Sequence, residues 1–349
     1  MLSEQRIRDI LGSLSDPLTG GTLLERLDGI SLDESRCTVA LSIQPSLAAT
    51  YEAARHEAQK NLQDAAGSLQ TVQVVLTAAQ AKVQGTVAAQ PKPTGATDRI
   101  HLPGIKKIIA VASGKGGVGK STTAVNLAAA LVSIGHAVGL LDADIYGPSI
   151  PRLLNLSGKP AGEQGRITPP VVNGLKAMSI GLLLDEAAPL IWRGPMVQSA
   201  LTQLLRDVDW GELDYLIIDL PPGTGDAQLT LAQKVTLAGT IIVSTPQDLA
   251  LIDARKAIGM FRKVGVPILG IVENMSQFIC PHCGTASDIF SHGGARHESE
   301  EIGVPFLGEL ALDMSVRQTS DAGTPIVWAS PDSAVAQSYR AMAALVAKA

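Results

Sequence analysis

Glycines and lysines are concentrated in one ten-residue stretch, SGKGGVGKST, at residues 113–122. Its core, Gly114 to Ser121, has the spacing G-x-x-x-x-G-K-[ST] and lies between an apolar segment and a helix-forming one. Glycines let the backbone curl so that successive N–H groups face one anion, and the positive end of the following helix adds to that field. The pattern predicts a loop that binds the phosphates of a nucleoside triphosphate, and we call residues 114–121 the phosphate loop.

Each polar residue of this loop has its own expected role. Lys120 is expected to reach the β and γ phosphates, and the Ser121 hydroxyl is expected to bind Mg²⁺. The predicted nucleotide-binding residues are Gly114, Lys115, Gly116, Gly117, Val118, Gly119, Lys120, Ser121 and Thr122. The motif therefore predicts a nucleotide with Mg²⁺, but it does not specify the base.

Lys115 is a second cation in a loop that needs only one. A loop that already has Lys120 and a ring of amides gains little from another charge of its own chain, whereas phosphoryl transfer gains much from a charge delivered in trans as a site closes. We hypothesise that Lys115 completes the site of a partner subunit, so that Lys115 and Lys120 both act in hydrolysis and a face-to-face dimer is required. The alternative is a solvated loop lysine.

Aspartates follow two further apolar segments. LLDAD contains Asp142 and Asp144, and DYLIIDL contains Asp219. Ligands of an open parallel sheet bind at the carboxyl ends of its strands, so these carboxylates are expected beside the phosphate loop. Asp219 is predicted on the Mg²⁺ side, Asp142 is a second Mg²⁺ candidate, and Asp144 is predicted to orient or activate the attacking water. Asp226 either takes part in catalysis or caps the helix that follows it.

Alternating strands and helices must position these groups. Strands are predicted at KKIIAVAS, AVGLLDAD, DYLIIDL, GTIIVST and PILGIVEN, and helices at STTAVNLAAALVSIG, GPMVQSALTQLLRDV, AQLTLAQKVT, DLALIDARKAIGMFRKV and SPDSAVAQSYRAMAALVAKA. This alternation predicts an α/β fold with a mostly parallel sheet covered by helices on both faces, and the phosphate loop after its first strand makes it the P-loop NTPase type.

A smaller unit is predicted before this domain. Residues 1–85 are expected to form a small α/β domain, with strands CTVALSI and TVQVVLT around the helix YEAARHEAQKNLQDAAG. Residues 86–104 contain Pro, Gly and Thr without a regular period, which predicts a linker. The nucleotide-binding domain is then expected at residues 105–349.

The composition argues against several classes of partner. The 349 residues carry a net charge of -5 with 3% aromatic residues and no basic run, so we expect no nucleic-acid partner. No apolar stretch reaches the ~18 residues that a membrane span needs, and the start MLSEQRIRDI lacks the apolar core of a secretory leader, so we expect no membrane partner and a cytoplasmic location. Three cysteines argue against a disulfide framework.

Seven motifs together resemble one family. GKGGVGKS, DADIYGPSIP, WRGPM, DYLIIDLPPGTGD, IIVSTPQDLAL, VENMS and CPHCG are similar to the Mrp/ApbC branch of the deviant Walker A ATPases, which are iron–sulfur cluster carriers. The resemblance covers residues 106 to about 330 and implies a homodimer with composite ATP sites, in which a lysine matching Lys115 crosses the interface and a cluster is held between subunits. It also implies that Asn274 contacts adenine, which favours ATP, and that cluster donors and apo iron–sulfur proteins are partners.

The first 80 residues resemble the small assembly-type domain that often precedes this ATPase. The similarity rests on Asp16-Pro17 and on CTVALSI. That family commonly places a cysteine soon after the strand, whereas this chain has SIQPSL there and its nearest cysteine, Cys37, lies within the strand. We expect Cys37 to be a buried apolar residue with no ligand role.

Cys280 and Cys283 form the CxxC of FICPHCG. Two thiolates on one tight turn can hold a single metal centre, but a [4Fe–4S] cluster needs four. The symmetry of a dimer would supply the second pair. We therefore predict an ATP-hydrolysing carrier that binds a [4Fe–4S] cluster at a dimer-bridging CxxC and transfers it to apo-proteins.

Other uses of the CxxC are open at this point. Zinc is one, held either with His292 and His297 in one chain or by four cysteines of two chains. A thioredoxin-like redox pair is disfavoured because the motif follows a late strand rather than opening an early helix. The alternative function is a MinD/ParA-like positioning ATPase with a structural zinc, which would need a basic amphipathic tail or a DNA-binding surface, and neither is visible.

Overall fold

The computed structural model describes residues 4–32, 36–43, 47–66, 71–78, 100–163, 165–183 and 194–348. The chain divides into two compact units, residues 1–93 and 94–349. Most of the predicted linker and the first two residues of WRGPM lie outside the described residues, as do residues 44–46 of SIQPSL.

In its described residues, the first unit is a three-stranded sheet with two α-helices. Its elements are α1 (Glu4–Gly12), β1 (Leu27–Leu32), β2 (Arg36–Ile43), α2 (Ala48–Ala66) and β3 (Thr71–Ala78). Strand β2 is central, antiparallel to β1 and parallel to β3. The strands and the central helix expected from sequence are present, β1 was not predicted, and Cys37 is fully buried in the core as expected.

Asp16 organises the turn that precedes β1. Its carboxylate accepts hydrogen bonds from the backbone amides of Leu18 and Thr19, from the Arg26 guanidinium and from the Tyr51 hydroxyl. Burial alone would raise the pKa of Asp16, but these donors, chiefly Arg26, outweigh it and hold the pKa well below its usual range. The contacts of the Asp-Pro motif are therefore those of a structural anchor.

The second unit is built on one large sheet. Its strands are β4 (Ile105–Ala112), β5 (Val138–Asp142), β8 (Val171–Val172), β9 (Leu175–Ser179), β10 (Leu213–Asp219), β11 (Gly239–Ser244), β12 (Ile268–Ile279), β13 (Ala286–Ser287) and β14 (Phe306–Leu312), while β6 (Gly162–Glu163) and β7 (Arg166–Ile167) form a separate hairpin. The order is β13-β12-β11-β4-β10-β5-β9-β8, with β14 pairing with β12. The described pairs are parallel except β12 with β13 and β8 with β9.

Helices cover both faces of this sheet, as predicted. The helices are α3 (Lys120–Ser133), α4 (Ile150–Leu153), α5 (Gly194–Arg206), α6 (Asp226–Lys234), α7 (Asp248–Lys263), α8 (Gly294–Ile302), α9 (Met314–Asp321), α10 (Ile326–Ala329) and α11 (Ala334–Lys348). One apolar core contains residues of α3, α4, α10 and α11, and the other contains residues of α5, α6, α7 and α8. Among the helices in the described ranges, none combines the length and apolar character needed to cross a membrane.

Candidate functional site

The phosphate loop joins the central strand β4 to helix α3. Strand β4 ends at Ala112 between parallel neighbours, so the loop lies at the carboxyl edge of the sheet. Gly117 and Gly119 both have φ of 80°, a left-handed conformation that glycine adopts without steric cost. Gly119 is the N-cap of α3, so the first amides of the helix open toward the loop.

Gly119 also lies against Asn274, a residue of β12. A Cβ atom at position 119 would overlap the side-chain amide nitrogen of Asn274. The same amide donates a hydrogen bond of 2.9 Å to the carbonyl of Val118. The strand therefore contacts the phosphate loop directly, and no local sequence pattern indicates this contact.

We expect Gly119→Ala to weaken ATP binding about tenfold or more, because a side chain at positive φ costs ~1–3 kcal/mol and the new methyl group displaces Asn274. Equilibrium binding of a fluorescent ATP analogue measures this change. The matched control is Gly259→Ala on α7, where an added Cβ meets no atom within 4 Å. Equal affinities for the two variants would show that the loop conformation is not needed for binding.

Lys120 and Asp219 form a buried ion pair at the centre of the site. The lysine ammonium lies 2.6 Å from Asp219 Oδ1, with side chains 6% and 0% exposed, and 3.2 Å from the Ser121 hydroxyl. Burial raises the pKa of Asp219, and the ammonium opposes that shift. The second oxygen, Oδ2, is buried and has no hydrogen-bond partner among the described residues. Asp219 Oδ2 and the Ser121 hydroxyl together offer oxygen ligands of the kind that Mg²⁺, or a water bound to it, prefers.

Asp142 is anchored by four donors of its own chain. Its Oδ1 accepts from the Asp144 amide, and its Oδ2 accepts from the amides of Ser149 and Ile150 and from the Ser179 hydroxyl. Burial, the largest cause, raises the pKa of Asp142 to about 7. These are the contacts of a residue that holds the loop between β5 and α4, so the Mg²⁺ role stays a prediction.

The remaining predicted residues are Asp144, Lys115 and Asp226. Asp144 is half-buried, which raises its pKa, and the nearby charge of Lys120 partly offsets the increase. Lys115 is partly exposed, and its ammonium forms no ion pair within the described residues. Asp226 begins α6, but its side chain is outside the described set, so the choice between capping and catalysis stays open.

A cleft of about 220 Å³ opens beside the helix end of the phosphate loop. Its lining includes Gly119, Thr122, Asn274 and Tyr339. The cleft therefore adjoins the predicted phosphate site and contains the residue expected to contact adenine. Apolar walls with a few polar groups are typical of sites for a nucleotide base.

The CxxC forms the turn of a hairpin between β12 and β13. The Cys280 amide donates to the Thr285 carbonyl at 3.0 Å, and the Gly284 amide donates back to the Cys280 carbonyl at 2.9 Å. Cys280 is half-buried, whereas Cys283 is exposed, and both are free. A 3.3 Å hydrogen bond joins Cys283 Sγ to the Thr285 hydroxyl, and the bonds to Thr285 lower the pKa of Cys283. We call residues 279–286 the CxxC hairpin.

The histidines predicted as one-chain zinc ligands do not join the cysteines. His292 lies 3.1 Å from Glu309, and His297 lies 3.3 Å from Glu301. In the described ranges, the metal-ligating residues that form a group of three or more do not include either cysteine of the CxxC. The structure thus argues against the one-chain Cys₂His₂ zinc site.

The fold and the phosphate loop define a P-loop NTPase. A family model described as ParA, NUBPL iron-transfer P-loop NTPase, matches residues 104–347. The chain belongs to this family, which confirms the relationship predicted from the motifs.

Curated relatives cover the same part of the chain. The "Iron-sulfur protein required for NADH dehydrogenase, mitochondrial" of Arabidopsis thaliana is 55% identical over 256 residues, which are 73% of this chain and 82% of the relative. The "Iron-sulfur cluster carrier protein" of Synechocystis is 50% identical over 273 residues, 76% of this chain and 77% of the relative. Among solved structures, a nucleotide-binding protein of Archaeoglobus fulgidus in complex with ADP is 43% identical, with a TM-score of 0.57 over 64% of this chain and 88% of that one.

Proposed function

We propose that the chain is an ATP-hydrolysing carrier that binds a [4Fe–4S] cluster on the CxxC hairpins of two subunits and transfers it to apo-proteins. The observation that carries this proposal is the course of strand β12. Asn274 in this strand donates to the carbonyl of Val118 in the phosphate loop, and the same strand ends at Ile279, immediately before Cys280. One continuous element thus joins the nucleotide site to the sulfur ligands.

The CxxC hairpin suits a cargo that must enter and leave. Cys283 is exposed, and its hydrogen bonds with Thr285 favour the thiolate, which is the form that binds iron. One hairpin supplies two sulfurs, so a [4Fe–4S] cargo needs a second copy of the chain. The names of the curated relatives support an iron–sulfur cargo.

The nucleotide site supports ATP hydrolysis. An arriving γ-phosphate would compete with Asp219 for the Lys120 ammonium and so loosen the buried ion pair. Mg²⁺ would be held by the Ser121 hydroxyl and by the Asp219 carboxylate. When bound, it neutralises charge on the phosphate oxygens. Asp144, half-buried beside Lys120, would orient the attacking water. The ADP bound to the Archaeoglobus relative supports an adenine nucleotide.

Cluster transfer should depend on ATP hydrolysis, because the phosphate loop contacts β12 through Asn274, and a nucleotide that shifts this contact would also shift the hairpin at the end of the strand. The full chain is loaded anaerobically with iron and sulfide and mixed with an apo [4Fe–4S] enzyme, whose recovered activity is followed with ATP or with a non-hydrolysable analogue. We expect faster recovery with ATP.

The control for this experiment is Lys120→Ala, which keeps both cysteines. This variant should accept the cluster but transfer it at one rate whatever the nucleotide. A wild-type rate that ignores ATP would contradict the coupling, whereas a protein that accepts no cluster would contradict the carrier function itself.

A further inference from the structure

Glu273 is a fully buried carboxylate that the nucleotide site does not use. Its two oxygens accept hydrogen bonds from the amides of Gly293 and Ala295, at 2.9 and 2.7 Å, where helix α8 begins. The amides fix the carboxylate in one orientation, but each oxygen keeps a further lone pair. No lysine or arginine forms an ion pair with Glu273 in the part of the chain that the structure describes.

Two more ligating side chains face this carboxylate. Glu309 on β14 is the register partner of Glu273 on β12, so the two glutamates are neighbours across parallel strands. His292 precedes α8, and its Nε2 lies 3.1 Å from Glu309 Oε2. One ligand atom from each of the three residues lies within 4.8 Å of the others, and this is the one such trio within the described residues.

We propose that Glu273, His292 and Glu309 form a site for a divalent first-row transition-metal ion. Two carboxylates balance the charge of the ion, and one imidazole favours zinc, cobalt or ferrous ions over magnesium and calcium. His292 Nε2 and Glu309 Oε2 are at hydrogen-bond distance, 3.1 Å, and this separation also allows both to bind one ion, because two ligands at about 2.1 Å from a metal stand ~3.0–3.4 Å apart. These two side chains are 36% and 41% exposed, so they can close on an ion bound beside the Glu273 carboxylate.

The position of the site gives it a mechanical role. Glu273 lies before the CxxC hairpin and His292 after it, so an ion bound to both residues would tie together the two ends of the segment that carries the hairpin. The metal site uses none of the cluster-binding sulfurs. It therefore does not depend on the carrier function proposed above.

The test uses the full chain with Cys280→Ala and Cys283→Ala, which removes the thiolates that would otherwise bind added metal. Titration with Zn²⁺ by calorimetry and with Co²⁺ by visible absorption should show one ion per chain. His292→Ala and Glu309→Gln should each weaken binding by about tenfold or more, because each removes one of three ligands. Glu273 is left intact, since its substitution would also uncap α8.

His297→Ala is the matched control. His297 is also an exposed histidine paired with a glutamate, Glu301, but it has no third ligating residue within the described ranges. The His297→Ala variant should therefore bind the ion as tightly as the parent protein does. Absence of a stoichiometric ion in the parent, or equal binding by His292→Ala and His297→Ala, would leave His292 and Glu309 as an ordinary surface pair and overturn the proposal.

Discussion

Replacing Lys115 with alanine should reduce ATP hydrolysis by roughly 10³-fold while ATP binding stays near normal, because a cation supplied in trans to a transferring phosphoryl group is worth about that much. In its own chain the phosphate loop already has the Lys120 ammonium. The Lys115 ammonium forms no ion pair within the described residues, so it remains available to a second subunit.

Subunit mixing distinguishes action in trans from action in cis. Lys115→Ala keeps Lys120, and Lys120→Ala keeps Lys115, so a heterodimer of the two contains one complete site only if Lys115 crosses the interface. An equal mixture at saturating ATP should then recover about a quarter of wild-type activity, since half of the dimers are mixed and each has one working site. Lys263→Ala, at the end of α7, is the control for loss of an exposed lysine and should hydrolyse ATP normally.

Two results would contradict the proposed role of Lys115 in the site of the partner subunit. One is a mixture no more active than its components. The other is a wild-type specific activity that does not change with protein concentration while Lys115→Ala retains the wild-type rate. Either would return Lys115 to a solvated loop position.

The phosphate loop could be predicted because its requirements are local. Glycine at positions 117 and 119 follows from the backbone alone, since both adopt left-handed φ, and the apolar run of β4 places the loop at the edge of the sheet. Strand and helix alternation likewise predicted the doubly covered sheet. In each case the determining residues lie within one element and its immediate connection.

Contacts between distant elements could not be predicted in this way. Asp142 accepts from three amides that follow β5 in the chain and from the Ser179 hydroxyl, which β9 supplies from 37 positions away. Asn274 contacts Val118 across 156 positions of sequence. Sequence analysis missed strand β14 because Gly308 and Glu309 interrupt its apolar run. The strand lies at an edge of the sheet and is only partly buried, so it does not require the continuous apolar run of a central parallel strand. No sequence pattern indicated the contacts of Glu273, because its partners are backbone amides at the start of α8.

Of the differences between the predicted and the observed elements, the length of β12 matters most for function. Sequence predicted a strand ending at Asn274, whereas the strand continues to Ile279. Its register with β14 shifts between Asn274 and Phe278, and Met275 has a φ of 57°, so the strand bends after its contact with the phosphate loop. The extension ends immediately before Cys280, so the turn that carries the cysteines follows directly from the strand that carries Asn274.

Removing either sulfur of the CxxC should abolish cluster binding completely. In a symmetric dimer one substitution removes two of the four ligands at once, and two thiolates do not hold a [4Fe–4S] cluster. Anaerobic reconstitution of Cys280→Ala and Cys283→Ala should therefore give colourless protein with no bound sulfide. In the wild type the cluster should contribute about two irons and two sulfides per chain, the share of one cluster between two subunits.

Cys37→Ala is the matched control, because Cys37 is the third cysteine and is buried in the core of the other unit. It should load the cluster as the wild type does. Light scattering on the loaded protein should show a dimer that Cys283→Ala fails to form under the same nucleotide-free conditions. A cluster retained by Cys283→Ala, or one zinc per two chains that iron does not displace, would mean that the hairpin holds a structural metal, and the cargo would then have to bind elsewhere on the chain.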